Sequence, residues 1–136
     1  MDMSNINWLA VVVCVVVAMV SGFIWYHPAV FFKPWWRGIG KEGMDTGGAN
    51  PMIYVFTILA AFVEAVSVAL LLNVMGSNTL AGGAGAGFML WLGFVAPTNL
   101  VNNLFAGRKW VVFFIEAGNH LLYLLAAGAI LASWPK

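Results

Sequence analysis

Residues 110–134 read WVVFFIEAGNHLLYLLAAGAILASW: a Trp at each end, no Lys, Arg or Asp between them, and a single acid, Glu116. A hydrocarbon core of about 30 Å asks for roughly 20 such residues in a helix. This stretch is long enough to span. Working outward, three further blocks meet the same requirement: residues 80–105, 52–75 and 6–26. In lipid an unsatisfied backbone group costs several kcal/mol, so a spanning segment must be a helix or part of a closed barrel. The alternating pattern of barrel strands is absent. The chain is therefore expected to be an all-α membrane protein, a four-transmembrane-helix bundle forming a single domain over residues 1–136.

Composition agrees. Of the 136 residues, 62% are hydrophobic and 8% charged, against roughly 45–50% and about 25% in soluble domains. With a net charge of +1 and cations scattered between apolar blocks, no basic patch exists for nucleic acid. The lone cysteine, Cys14, builds neither a disulfide nor a cysteine metal site within one chain. The first block does not read as a signal peptide, because its N-terminal flank carries Asp2 and no Lys or Arg and its apolar run is too long.

Orientation follows the cations. Lys33, Arg37 and Lys41 follow the first span and Arg108 and Lys109 the third, whereas the opposite side holds only Lys136. Loops 27–51 and 106–109 are expected in the cytoplasm, with both termini outside, and the bilayer as the principal partner. Trp8, Trp25, Tyr26, Tyr54, Trp110 and Trp134 fall near span ends, as headgroup-level aromatics do. Trp91 falls mid-span, against the bundle or lipid. Residues 28–36 suit a short interfacial segment, and residues 38–50 a flexible, wet loop.

Small residues mark packing faces. Ala10, Cys14, Ala18 and Gly22 recur every fourth residue, and residues 82–87 are all Gly or Ala, which lets helix backbones approach closely. Phe62-Val63-Glu64-Ala65 and Phe114-Ile115-Glu116-Ala117 are nearly one tetrapeptide. The chain therefore reads also as two parallel two-helix repeats.

Ionisable groups inside a span cost about 2.5–3.5 kcal/mol and normally face protein or water. Glu64 and Glu116 both need partners. Glu116, Asn119, His120 and Tyr123 share one helix stripe at i, i+3, i+4 and i+7, and Asn99, Asn102 and Asn103 lie on a second stripe of the third span. At similar depth the stripes can meet. Pro97 removes a backbone hydrogen bond and clashes with the carbonyl of Gly93, which predicts a kink and a cavity beside it.

Several roles fit this cluster: interhelical hydrogen bonds that fix register, a path for a proton or ion through Glu64, Glu116 and His120, or a ligand pocket. A metal needs three or four ligands; Glu116 and His120 supply two, leaving Glu64 or His27 to complete the set. His27 also suits a plain interfacial position. No cofactor is expected, and Ser21, Ser67 and Ser133 stand in no nucleophile motif, so catalysis finds little support.

Asn7-Trp8, Gly22-x-x-Trp25-Tyr26-x-Pro28, Phe32-Lys33-x-Trp35, Asn119-His120, Gly128 and Trp134 together resemble a family of small bacterial inner-membrane proteins catalogued as a domain of unknown function. The resemblance implies four helices in a bacterial membrane and carries no activity or site. Two classes of function follow from the residues: a homodimer or higher homo-oligomer whose polar cluster binds or conducts a proton, ion or small polar ligand, and an accessory subunit of a larger membrane complex.

Overall fold

A computed structural model describes residues 3–134. Asp2 and Lys136, used above for the N-terminal flank and the charge balance, lie outside them. The described residues form helices α1 (Trp8–Trp25), α2 (Phe32–Gly38), α3 (Pro51–Met75), α4 (Leu80–Leu90), α5 (Ala96–Phe105) and α6 (Trp110–Ser133), with a π-helical turn, Trp91–Val95, joining α4 to α5. The third span is thus one continuous run from Leu80 to Phe105.

The helix starts are set by local chemistry. The side chains of Asn7, Asn50 and Thr79 accept hydrogen bonds from the first-turn N–H groups of α1, α3 and α4, where the helix leaves donors unsatisfied. Pro51 opens α3, a position at which its missing N–H costs nothing. Gly76 closes α3 at φ +65°, a left-handed conformation that L side chains avoid.

α6 is the hub, touching α1, α2, α3, α4 and α5. Its tightest neighbour is α4. A Cβ at Gly83 would collide with the Gly128 carbonyl oxygen, one at Gly87 with that of Leu124, and one at Gly128 with that of Gly83. The small residues of 82–87 therefore bring two backbones into contact. On α1, Ala10 and Cys14 are fully buried and Ala18 packs on the core. At Gly22 the seam stops, because an added Cβ there would meet open space.

Trp8 stacks near Phe62 and Phe23 near Tyr54, so α1 and α3 run antiparallel. Between 17% and 39% of each span's apolar stretch is buried within the protein. The remaining apolar surface faces outward on all four, as helices in lipid do. Residues 40–50 are exposed throughout, as the loop's polar composition predicts.

Candidate functional site

The polar residues singled out in the sequence separate into three groups. In the first, the Glu116 carboxylate accepts from two sides: Trp35 Nε1 on α2 donates to Oε1 at 3.0 Å, and Arg108 Nη1 donates to Oε1 at 3.2 Å and to Oε2 at 3.5 Å. Both charged side chains are largely buried, with 28% and 20% of their surface exposed. The pair neutralises itself inside a low-dielectric region, and it ties α2 to α6. In the sequence Arg108 bears on orientation, and Trp35 on the interfacial segment and the family resemblance; nothing there links either to Glu116.

The second group is the Asn stripe. Asn103 is buried and its Nδ2 donates to the carbonyls of Arg108 at 3.3 Å and Lys109 at 3.2 Å. It holds the turn that presents Arg108. Asn99 is half-buried and Asn102 exposed, and none of the three bonds to Glu116, in contrast to the expected meeting of the stripes. Pro97 is exposed. Its disturbance of the helix is taken up by the π turn before it, where Ala96 N–H reaches back to the Trp91 carbonyl, and Thr98 Oγ1 donates to the Phe94 carbonyl at 2.6 Å. The groove described below lies elsewhere, away from Pro97.

The third group is deeper. Tyr123 is buried, and its hydroxyl donates to the Ala61 carbonyl at 2.9 Å, joining α6 to α3. Glu64 and His120 lie within electrostatic range of one another, but no ion pair links them. Glu64 is the fourteenth residue of α3 and Glu116 the seventh of α6, so the two matching tetrapeptides stand in different surroundings.

Two tryptophans lock α6 from either side. Trp25 Nε1 donates to the Ile115 carbonyl at 2.9 Å and Trp91 Nε1 to that of Ala117 at 2.7 Å. Trp25 turns inward rather than serving only as a headgroup anchor, across Gly118, where a Cβ would stand 3.0 Å from its ring. Trp91 takes the interior of the two places the sequence allows it.

A groove of about 590 Å³ opens between α1, α2 and α3. Gly22, Phe23 and Tyr26 of α1, Phe32 and Trp35 of α2, and Tyr54 and Thr57 of α3 line it, and Asn119 of α6 forms its floor. Thr57 is already engaged, donating to the Ile53 carbonyl at 2.8 Å. Asn119 is not: its Oδ1 is buried without a hydrogen-bond partner. Small-molecule sites are mostly apolar concavities of about 300–1,000 Å³ with a few polar groups, and this groove has that make-up. In the sequence Gly22 reads as a continuation of the packing seam, so nothing there points to the groove.

The metal reading loses its third ligand. Among the described residues no three His, Cys, Asp or Glu side chains gather, Glu116 is occupied by Arg108, and His27 is exposed, its Nδ1 accepting from Ala29 N–H at 3.1 Å. Glu116 and His120 are left as two candidates without a completed set. Ser21, Ser67 and Ser133 each donate to a carbonyl of their own helix.

Four long apolar helices with outward-facing apolar surface define a multi-pass membrane protein. The chain belongs to the family described as Protein of unknown function (DUF1761), whose model matches residues 9–132. No curated protein and no solved structure matches it.

Proposed function

We propose that this protein binds a small lipid-soluble molecule in the groove between α1, α2 and α3, with Asn119 as the polar contact. The carrying observation is the Asn119 amide, whose Oδ1 is buried without a partner at the floor of a largely apolar groove. Leaving a buried acceptor unmade costs about 1–3 kcal/mol. A ligand hydroxyl that donates to Oδ1, once the side chain shifts to present it to the groove, would recover that cost.

The other polar groups support binding over conduction. Glu116 is held by Arg108 and Trp35, which favours a fixed wall over a mobile proton carrier, and no ion pair joins Glu64 to His120. In this reading the protein sits in a bacterial cytoplasmic membrane with loops 27–51 and 106–109 in the cytoplasm and both termini outside. A second reading, an accessory subunit or homo-oligomer, draws on the third span, where Phe94 is 72% and Phe105 92% exposed.

Native mass spectrometry on protein extracted in mild detergent tests the site. Wild type is expected to carry a lipid-soluble adduct, lost in Gly22→Leu, which fills the groove, and weakened in Asn119→Leu. Gly85→Ala, on an open face of α4, should keep it. Equal occupancy in all four proteins would refute the groove, and co-purification of an unrelated subunit would favour the second reading.

A further inference from the structure

We propose that the ligand of this groove is a ring with a hydroxyl, an alkyl phenol or hydroquinone-type molecule, its ring among the aromatic side chains and its hydroxyl on Asn119. The assignment rests on the reading above and narrows it. Around one groove stand Phe23 and Tyr54, stacked at 6.0 Å, Tyr26 and Trp35, edge to face at 5.3 Å, and Phe32, 6.0 Å from Trp35. An alkyl chain gains the same from any apolar wall. A planar ring gains more here, since aromatic pairs add to simple area burial through their quadrupoles.

Charge excludes the commoner head groups. The charged side chains behind the Trp35 wall, Glu116 and Arg108, neutralise one another at 3.2 Å. No unpaired Lys, Arg, Asp or Glu lines the groove. A phosphate or an ammonium would enter without a counter-charge, whereas a phenol is neutral at physiological pH. Depth also fits. From Tyr26 to Ala18 the groove follows α1 for about 12 Å, room for a ring beside Asn119 and the first part of its tail.

The test uses the full chain in detergent micelles and three probes of similar apolarity: 4-nonylphenol (ring and hydroxyl), nonylbenzene (ring only) and 1-decanol (hydroxyl only), each titrated against the thermal midpoint. Nonylphenol should raise the midpoint saturably, at a micellar mole fraction at least tenfold below that needed by either other probe. Asn119→Leu should bring nonylphenol down to the level of nonylbenzene, and Gly22→Leu should remove the response to all three.

If decanol and nonylphenol act alike and both depend on Asn119, the ring assignment is overturned while the hydroxyl-binding groove stands. If nonylbenzene matches nonylphenol in wild type, the hydroxyl plays no part, and both the phenol assignment and the Asn119 contact it rests on are overturned. If no probe acts saturably, or neither variant changes the response, both the ring and the groove fall.

Discussion

Glu116 illustrates how a carboxylate is kept within a span. Its two oxygens take three hydrogen bonds, from Trp35 and Arg108, so removal of either donor has a distinct cost. Trp35→Phe loses one bond and part of the indole's packing against Tyr26, Phe32 and Trp36, an expected destabilisation of about 1–3 kcal/mol. Arg108→Ala leaves the acid without its counter-charge. For a fully buried pair that costs roughly 3–5 kcal/mol; with part of both side chains exposed, about 2 kcal/mol is expected. The double variant Arg108→Met, Glu116→Leu should recover most of it, because no charge then remains to be desolvated. Thermal unfolding of wild type, Arg108→Met, Glu116→Leu and the double variant in one detergent gives the cycle, and additivity of the single effects would count against the pairing. Tyr123→Phe is predicted to cost about 0.6–1.5 kcal/mol by the same measurement, the range of interhelical hydrogen bonds in membranes and proteins.

Among the elements, the α4 and α6 contact has the least slack. Gly83, Gly87 and Gly128 each face a backbone carbonyl of the other helix, whereas Gly85 of the same helix faces open space. A methyl group at any of the first three must push two backbones apart. Gly83→Ala, Gly87→Ala and Gly128→Ala are each expected to lower stability by about 1–3 kcal/mol, the usual cost of overpacking. Gly85→Ala should be neutral or slightly stabilising, since Gly carries a helix-interior penalty. Equal midpoints for Gly85→Ala and Gly87→Ala would show that the helices are not in backbone contact. The π turn before Pro97 belongs to this scale too. It widens one turn where the proline cannot donate, and it starts at Trp91, whose indole reaches Ala117 of α6.

For the whole molecule, α6 is the member every other helix leans on, and the two ends of the bundle differ. Arg108 and α2 share one end; Ile6, Leu72 and Leu131 meet at the other. The orientation proposed above, from the cation distribution, puts the first end in the cytoplasm. A Gly47→Cys variant should then react with a membrane-impermeant maleimide only after the cells are opened, and a reporter fused after residue 136 should be active only outside the cytoplasm. Cys14, fully buried, adds no background. Labelling of Gly47→Cys in intact cells would invert the protein.

Length, apolar composition and the Trp and Tyr residues near span ends were enough to define four helices, because a bilayer forces each segment to satisfy its own backbone and to show apolar surface to lipid. Those requirements are local, so residues 52–75, 80–105 and 110–134 could be read to within a residue or so of α3, the third span and α6. The partners of Glu116 are a different matter: Arg108 lies eight residues away and Trp35 eighty-one, and only the docking of α2 against α6 brings them to one carboxylate. The groove belongs to the tertiary structure as well. It exists because the small-residue seam of α1 ends at Gly22 while α2 and α3 stand off from it, and an empty space between helices leaves no periodicity in any one of them.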